Sequence, residues 1–366
     1  MSRAPDLPDH GPQFPSAPLA VAILGAGSIA RTAHIPAYEK YGVPVTGVYS
    51  RNRARTEDLP QLFPSVRRIY RSTQELLEDP AVEIVDLATG PEDRVDLIAR
   101  AVQHGKHVLA QKPLLAGASD VAALRPVLDE AAERGLRIAV NQNARWAPVW
   151  RLATLLLRQG EIGDVVGVTH LHDKPLPPIA GTPFDDIDHM LIADYMVHWT
   201  DITRCWLEGT RVTHLSARDS RVPGQPETAR NPWHADVRIG CDNGASAALR
   251  VVGDVQATNP GCPFWIHGTR GTLRGSILGG TDRLELDRDG EIHPLPLHGE
   301  WFVDGFAGTM AELMNAIRED REPENSAVHV LPTVELTDAA RDSARHGGMP
   351  RRLDIALTPS TRSTTP

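Results

Sequence analysis

The residue pair best suited to acid–base chemistry is Asp194 and His198, in the segment DYMVHWTD. Residues four apart on a helix project from one face, so the carboxylate can orient the imidazole and stabilise its charged form. A histidine with an ordinary pKa of about 6.5 accepts or releases a proton at neutral pH. The same spacing also suits an exposed ion pair without a catalytic role, and the residues alone leave both interpretations open. Asp201, one turn later, either orients His198 or is solvated.

Lysine is scarce in this chain, whose four lysines are Lys40, Lys106, Lys112 and Lys174. Because basic positions otherwise carry arginine, the lysine at Lys112 is informative. A cation there can polarise a carbonyl oxygen or lower the pKa of an alcohol. Oxidising a carbinol requires a hydride acceptor as well as a proton acceptor, and the hydride acceptor is a cofactor. Taken alone, Lys112 is equally consistent with a loop charge.

A glycine-rich turn follows the first apolar run, residues 19–25 (LAVAILG), and has the pattern G-x-G-x-x-A. Gly25 permits the tight turn, Gly27 lets a pyrophosphate approach the backbone, and Ala30 lets the next helix pack closely on the strand. The motif lies between a predicted strand and a predicted helix, which is the context it requires. The pattern therefore predicts a dinucleotide site that includes Gly25, Gly27, Ser28 and Ile29. The alternative is a tight turn that binds no ligand.

The end of the second predicted strand bears on the choice of dinucleotide. An NAD enzyme usually has a carboxylate there that binds the ribose 2′-hydroxyl, whereas this chain has Ser50, Arg51, Asn52 and Arg53. A hydroxyl and two guanidinium groups can hold a 2′-phosphate through charge-assisted hydrogen bonds. We predict NADP as the cofactor, with NAD as the alternative, and Ser50, Arg51 and Asn52 as contacts. The alternatives are that the arginines are solvated loop charges or that Arg51 stacks on adenine.

The first third of the chain alternates short apolar runs with helical patterns, which is typical of βαβ units and a parallel sheet. The predicted strands are 19–25, 45–50, 83–89, 106–110 and 136–142, with helices after the glycine turn and over 91–104 and 121–135. These elements predict a doubly wound Rossmann domain over residues 18–143.

After residue 143 the pattern changes to helices over 149–160 and 190–207, several short strands between 213 and 296, and closing helices over 305–318 and 331–345. The DNG and RDG triplets are typical of hairpin turns and favour antiparallel pairing. We therefore predict a mixed α/β protein. A C-terminal α+β domain with a large, mostly antiparallel open sheet would span 144–355 and carry the substrate and oligomer contacts, with disordered tails at 1–17 and 356–366.

The overall composition excludes several classes of protein. The chain has 366 residues, 47 Asp plus Glu against 38 Lys plus Arg, and a formal net charge of −9, which argues against nucleic-acid binding. No run approaches the roughly 18 apolar residues of a membrane span, so we expect no membrane partner. The N-terminal residues lack the apolar segment of a secretion signal, and three well-separated cysteines give no disulfide framework. These features predict a cytoplasmic protein.

Several motifs occur in an order that resembles the Gfo/Idh/MocA oxidoreductase family, which includes glucose–fructose oxidoreductase and inositol dehydrogenase. They are the glycine turn followed by AHIPAY, then IVDLATGP, GKHVLAQKPLL, NQNARWAP and DYMVHWTDITRCWLEG. The resemblance covers roughly residues 19–209. It implies hydroxyl–carbonyl interconversion on a sugar, sugar acid or inositol-like substrate, with the nicotinamide in a cleft between the domains. It also implies a homodimer or homotetramer.

The resemblance assigns roles to individual residues. The family's E-K-P motif matches Gln111, Lys112 and Pro113. This match places Gln111 near the cofactor and Lys112 near both the nicotinamide and the substrate hydroxyl, with a cis Lys112–Pro113 bond. The D-x-x-x-H motif matches Asp194 and His198, the histidine being the usual proton donor or acceptor.

Further matches concern binding. Asn143 and Arg145 match a segment that lines the cleft near the nicotinamide, so we expect substrate contacts from both. Thr89, Gly90 and Pro91 match the loop that passes under the cofactor.

The end of the strand VVGVTHLH offers two further interpretations. His170 and His172 share one strand face and form a possible metal-ligand pair, but we see no third ligand at a suitable spacing and expect no metal. Asp173 and Lys174 follow the strand, and we predict them to contact the substrate.

Three departures from the family pattern bear on this assignment. Gln111 replaces the usual glutamate, Arg94 stands where many relatives carry histidine, and IDHMLIA over 187–193 replaces a glycine-rich stretch. We expect the last of these to reshape the cleft. Two rival functions remain, a dinucleotide-binding sensor without catalysis and a redox-neutral enzyme that processes glycosides through transient oxidation.

Overall fold

The computed structural model describes residues 6–279 and 282–357, which form two compact units. The Rossmann unit comprises Gly11–Ala147 and Gly299–Val334. The large-sheet unit comprises Pro148–His298 together with residues 6–10 and 335–357. The predicted boundary at 143/144 lies close to the change of unit at residue 147. Residues 299–334, however, belong to the Rossmann unit and not to the second domain as predicted.

The sheet of the Rossmann unit is parallel throughout and has the order β2-β1-β3-β4-β5. Its strands are almost entirely buried because helices cover both faces, which explains their unbroken aliphatic sequences. Ile69 makes a parallel bridge with Val48 and stands in place of a further strand beside β2. The strands are β1 (Val21–Leu24), β2 (Val45–Tyr49), β3 (Ile84–Leu87), β4 (His107–Gln111) and β5 (Ile138–Asn141).

The large-sheet unit is built on one nine-stranded sheet with the order β13-β12-β11-β10-β6-β9-β8-β7-β14. The β6–β9 pair is parallel and the other pairs are antiparallel, as predicted for a mostly antiparallel sheet. The strand β14 was not predicted. The strands are β6 (Val165–His172), β7 (Arg211–Ser220), β8 (His234–Cys241), β9 (Ser246–Val251), β10 (Cys262–Gly268), β11 (Thr272–Ile277), β12 (Arg283–Arg288), β13 (Glu291–Leu295) and β14 (Arg351–Ala356).

Helices flank both sheets, and three short π-helical turns occur at Ala30–His34, Leu191–Tyr195 and Trp301–Gly305. The α-helices are α1 (Ile35–Lys40), α2 (Leu59–Leu62), α3 (Thr73–Glu78), α4 (Arg94–Gln103), α5 (Val121–Glu133), α6 (Pro148–Arg158), α7 (Val197–Trp206), α8 (Phe306–Arg318) and α9 (Ala327–Arg345). In the described part of the chain, no helix combines the length and apolar character that crossing a membrane requires.

Helix α8 explains why residues 299–334 join the first unit. Its side chains Phe306, Met310 and Met314 lie in the same buried cluster as Ile23 and Val45 of the parallel sheet. Burial of such side chains contributes roughly 1.5–3 kcal/mol each, so this helix completes the core of the Rossmann unit.

The predicted N-terminal tail is only partly described. Residues 6–17 form neither helix nor strand, but His10 is 5% exposed and its ring lies 3.9 Å from that of His298. This part of the segment is therefore packed rather than frayed. Residues 1–5 and 358–366 lie outside the described residues.

The packing of α8 within the Rossmann unit depends on Gly308, where a Cβ atom would lie 2.4 Å from Cγ of Trp146. We expect Gly308→Ala to lower the free energy of unfolding by about 1–3 kcal/mol because the core is already filled there. Urea unfolding followed by circular dichroism measures the change. Gly167→Ala, on β6 of the large-sheet unit, is the control for an added methyl group with room around it, since its Cβ would meet its nearest atoms at 3.9 Å. Equal unfolding midpoints for the two variants would contradict this account of the packing.

Candidate functional site

Three loops meet at the carboxyl edge of the parallel sheet. The glycine turn follows β1, the loop with Thr89 and Gly90 follows β3, and the loop with Lys112 follows β4. Because β1, β3 and β4 are neighbours and parallel, their carboxyl ends lie side by side. The fold thus brings together three segments that the sequence predicted to bind a cofactor.

Gly25 has a backbone conformation that only glycine adopts easily, with φ of 118°. A Cβ atom there would lie 2.5 Å from the carbonyl oxygen of Ala88 and 3.2 Å from Cγ2 of Thr89. The Gly25 N–H donates to the carbonyl of Tyr49 at 2.7 Å. The turn after β1 is therefore pressed against the loop after β3, and no side chain fits between them.

The surface beside this turn fits a dinucleotide. A Cβ atom on Gly27 would meet nothing within 4 Å, so the backbone there is accessible to a large group. Ser28 is exposed, and the helical segment begins at this point, where free N–H groups favour phosphate. The Thr89 hydroxyl is buried and has no hydrogen-bond partner among the described residues, so it is available to form a hydrogen bond with a bound group.

The residues that follow β2 make only weak contacts, and their predicted role at the dinucleotide stays a prediction. Arg51 is 86% exposed, and its Nη1 lies 3.5 Å from Oδ2 of Asp93. Asn52 accepts a hydrogen bond from the Ala54 N–H at 3.2 Å and so caps the short turn that follows. Ser50 is half-buried. A pair as exposed as Arg51 and Asp93 is worth little, so a phosphate can displace the carboxylate from Arg51.

The loop after β4 holds the backbone of Lys112. Gln111 is 6% exposed, and its Oε1 accepts a hydrogen bond from the Lys112 N–H at 3.0 Å. A glutamate would supply the same acceptor oxygen, so the glutamine can make this contact without the charge. The Lys112–Pro113 peptide bond is cis, as the resemblance implied.

Arg94, the first residue of α4, is fully buried and donates to backbone carbonyls of two loops. Its Nη2 donates to Thr89 O at 2.8 Å and to Gly90 O at 3.1 Å. Its Nη1 donates to Gln111 O and, at 3.5 Å, to Pro113 O. Burial lowers the pKa of Arg94 to about 10, while the negative charges of Asp86 and Glu92 act to raise it. The guanidinium therefore stays charged at neutral pH.

In the sequence, Arg94 stands out only as a departure from the family pattern. A signal was present, because a cation in the first turn of a helix opposes the helix dipole. Its position there indicates that the side chain serves some other purpose than stabilising α4.

Asn143 and Arg145 are buried within the Rossmann unit. Asn143 donates from Nδ2 to Asn141 O at 3.2 Å and accepts from Nε1 of Trp301 at 2.7 Å. Arg145 donates to Glu324 O at 2.6 Å. Both residues thus tie the turn after β5 to the segment 299–334, and their predicted substrate contacts stay predictions.

In the large-sheet unit, Asp194 lies in the π-helical turn Leu191–Tyr195 and His198 lies in α7. The Met196 N–H donates to Leu191 O, five residues earlier, at 2.7 Å. The predicted regular helix over 190–207 is therefore wrong in this part, because the wider turn changes the angular relation of the two residues. Such turns often occur at functional sites.

Asp194, Tyr195 and His198 nevertheless share the accessible side of this segment. Each is half-buried, whereas Met196 and Val197 between them are buried. Asp201 is only 1% exposed and lies 3.5 Å from Nε of Arg204. The alternative that Asp201 is solvated is wrong.

His172 and Tyr195 form a contact that the sequence did not indicate. His172 Nε2 lies 2.7 Å from the Tyr195 hydroxyl, and the Tyr195 ring stacks on Trp199 at 5.5 Å. Burial lowers the pKa of His172 to about 4 and raises that of Tyr195. Both are thus neutral at pH 7, and the pair anchors the end of β6 to the turn that carries Asp194.

The histidine pair on β6 serves the core. His170 is 2% exposed, its ring stacks on Trp206 at 5.3 Å, and burial lowers its pKa to about 3. Across residues 6–279 and 282–357, no group of three or more His, Cys, Asp or Glu side chains is placed to hold a metal ion.

Asp173 and Lys174 follow β6 and are half-buried. The backbone of Asp173 pairs with that of Gly261, each N–H donating to the other's carbonyl at 2.9 Å. Their side chains therefore extend from a fixed strand end in the same unit as His198.

The segment 187–193 forms an ordered turn before Asp194. His189 has a positive φ of 53°, and its Nδ1 lies 2.7 Å from Oδ2 of Asp219. Its carbonyl accepts from the N–H groups of Ile192 and Ala193, each at 2.9 Å. The residues that replace the glycine-rich stretch thus fix the start of the π-helical turn.

Comparison with known sequences identifies two matching family models. The oxidoreductase family with an NAD-binding Rossmann fold matches residues 19–142, and the GFO/IDH/MocA C-terminal domain matches residues 150–274. A similar protein is the D-apiose dehydrogenase of Paraburkholderia graminis, 26% identical over 343 residues, which are 89% of this chain and 88% of that protein.

Solved structures share the fold. An oxidoreductase from Agrobacterium radiobacter, solved with NAD+, L-tartaric acid and magnesium, has a TM-score of 0.78 and 22% identity, covering 93% of this chain and 99% of that one. A 3-ketoreductase from Actinomadura kijaniata, solved with NADP and TDP-benzene, has a TM-score of 0.71 and 22% identity, covering 90% and 98%.

The close approach at Gly25 generates a prediction about ligand binding. We expect Gly25→Ala to weaken dinucleotide binding by about tenfold or more, because relieving the clash with Ala88 moves the turn. Fluorescence titration with NADP and with NAD measures the affinity. Gly42→Ala is the control, since Gly42 also has positive φ, 66°, but its Cβ would meet nothing within 4 Å. An unchanged affinity in Gly25→Ala would show that the turn does not contact the dinucleotide.

Proposed function

Because this chain belongs to the Gfo/Idh/MocA oxidoreductase family, we propose that it interconverts a hydroxyl and a carbonyl group on a sugar, sugar acid or inositol-like substrate. Its Rossmann unit is an NAD(P)-binding fold, and we propose NADP as the preferred dinucleotide. The observation that carries the proposal is the meeting of the glycine turn, the Thr89 loop and the Lys112 loop at one edge of the parallel sheet.

The bound dinucleotide supplies the hydride acceptor for oxidation and the hydride donor for reduction. Gly25, Gly27, Ser28 and Ile29 would hold its pyrophosphate at the start of the first helical segment. Ser50, Arg51 and Asn52 would lie at the adenosine ribose, and Thr89, Gly90, Pro91 and Gln111 beside the nicotinamide half.

His198 takes the hydroxyl proton in oxidation and returns it in reduction. Asp194 stabilises the charged imidazole and restricts its orientation. Lys112 binds the reacting oxygen and stabilises the negative charge that develops on it. The lysine belongs to the Rossmann unit and the histidine to the large-sheet unit, so the proposal requires both to reach one substrate.

Substrate hydroxyl groups require further polar partners. We assign this role to Asp173 and Lys174, which extend from the fixed end of β6, and to Asn143 and Arg145. A carboxylate and a cation side by side can accept from one hydroxyl and donate to its neighbour, which suits a polyhydroxylated ring.

The proposal includes a homodimer or homotetramer formed through the nine-stranded sheet. Val166 on β6 and Ile292 on β13 are large apolar side chains that are 48% and 51% exposed. Self-association would cover side chains of this kind.

The proton-handling roles predict a loss of turnover without a loss of binding. We expect Lys112→Met and His198→Asn each to lower kcat by about 10²- to 10⁴-fold, while dinucleotide affinity changes little. A spectrophotometric assay of the reduced nicotinamide, over a panel of sugars, sugar acids and inositols with NAD and NADP in parallel, measures the effect. His267→Asn, an exposed histidine on β10, is the control and should retain full activity. Full activity in His198→Asn would exclude the assigned role.

The exposed guanidinium of Arg51 predicts the dinucleotide preference. We expect Arg51→Ala to weaken NADP binding by about tenfold or more, because a charged hydrogen bond to the 2′-phosphate is lost, and to leave NAD binding almost unchanged. Isothermal titration with both dinucleotides tests this. Arg125→Ala, an exposed arginine on α5, controls for the general change in charge. Equal weakening of both dinucleotides would argue against the phosphate contact.

A further inference from the structure

The Arg94 side chain joins the two loops to which the proposed function gives different tasks. Its Nη2 donates to the Thr89 and Gly90 carbonyls. Its Nη1 donates to the carbonyls of Gln111 and Pro113, on either side of Lys112. The first loop would lie beside the nicotinamide, and the second carries the lysine.

We propose that Arg94 is a positioning residue for catalysis, which sets the distance between the dinucleotide loop and the loop that presents Lys112. The inference rests on the proposed function for the meaning of that distance. It assigns the role to a side chain that touches neither substrate nor cofactor.

The geometry explains why arginine suits this position. A guanidinium is a planar fork whose two terminal nitrogens donate in divergent directions, so one side chain reaches acceptors on two loops. A lysine ammonium concentrates its donors on one atom, and an imidazole has at most one donor on each ring nitrogen. Neither offers donors on two separate nitrogens of one planar fork, which is how Arg94 reaches the Thr89 and Gly90 carbonyls with one nitrogen and the Gln111 carbonyl with the other.

The position of Lys112 depends on this arrangement. Its N–H is held by Gln111 Oε1 at 3.0 Å, and the carbonyl of the same peptide unit accepts from Arg94. Both polar groups of the peptide that precedes Lys112 are thereby held, so the point from which the lysine side chain leaves the backbone is held too.

The cost of this arrangement argues for a purpose beyond stability. Burying a charge is expensive, and the four acceptors are carbonyls rather than a carboxylate in direct contact. The Nε atom is also buried without a hydrogen-bond partner in the described part of the chain. An apolar residue at this place would avoid the buried charge but would leave these carbonyls without their donor and the two loops unconnected.

The test compares Arg94→Lys, Arg94→Gln and the matched control Arg100→Lys, which lies on the same helix. Hydrogen exchange is measured without any dinucleotide over peptides that cover 86–93 and 107–115. Thermal melting, dinucleotide affinity, kcat and KM complete the comparison.

We expect Arg94→Lys to melt close to the control but to exchange faster in both peptides. Loss of charged hydrogen bonds on one loop should lower kcat by about tenfold or more. The KM for substrate should change much less, because the substrate contacts assigned to Asp173 and Lys174 lie on another unit and are untouched. Arg94→Gln, which leaves no charge in the core, should show the same pattern and replaces Arg94→Lys if that variant does not fold.

The inference is overturned if the folded variants exchange like the control in both peptides, or if kcat is unchanged. Failure of both variants to fold would also overturn it, because Arg94 would then serve stability. Absence of turnover in the unaltered protein, together with faster exchange in the variants, would instead contradict the proposed function and leave the connection between the loops standing.

Discussion

The carboxyl ends of neighbouring parallel strands lie at the same edge of a sheet. The chemistry assigned to this chain depends on that constraint. At this edge the fold packs backbone against backbone, with Gly25 on the Ala88 carbonyl, and then joins two loops through the Arg94 guanidinium. The free carbonyls at strand ends would otherwise need water or separate side chains. One buried cation satisfies several of them and at the same time joins the two loops.

In the large-sheet unit, the backbone around the candidate site is held by a different set of contacts. Its accessible polar residues, Asp194 and His198, lie where a π-helical turn meets α7. That turn is fixed at its start by the His189 carbonyl and at its end by the contact of Tyr195 with His172. The residues that stand in place of the family's glycine-rich stretch thus form specific contacts, through the His189 carbonyl and through the His189 ring with Asp219, so the local backbone is ordered despite the different sequence.

Composition and periodicity were sufficient to predict the five parallel strands, the large mostly antiparallel sheet and the glycine turn. Each is encoded locally, by aliphatic runs for the strands and by the need for positive φ at Gly25. The assignment of 299–334 was wrong because α8 is a mostly buried, apolar helix, and its sequence does not indicate which sheet it packs on. The sheet on which α8 packs is decided by the surface around Trp146, which Gly308 allows the helix to approach closely. Trp146 is far from α8 along the chain, so the sequence of the helix itself does not indicate this contact.

The sequence by itself singled out the residues to which the chemistry is assigned, because a lysine in a chain of arginines and a carboxylate four residues before a histidine are visible in the order of the residues. It also determined the resemblance from which their roles were inferred. Only the tertiary structure decided that Arg94 reaches two loops separated from each other along the chain, and that Asp194 lies in a π-helical turn while His198 lies in the α-helix that follows. Hydrogen bonds between distant carbonyls and shifts in helical phase arise from packing, which periodicity does not encode.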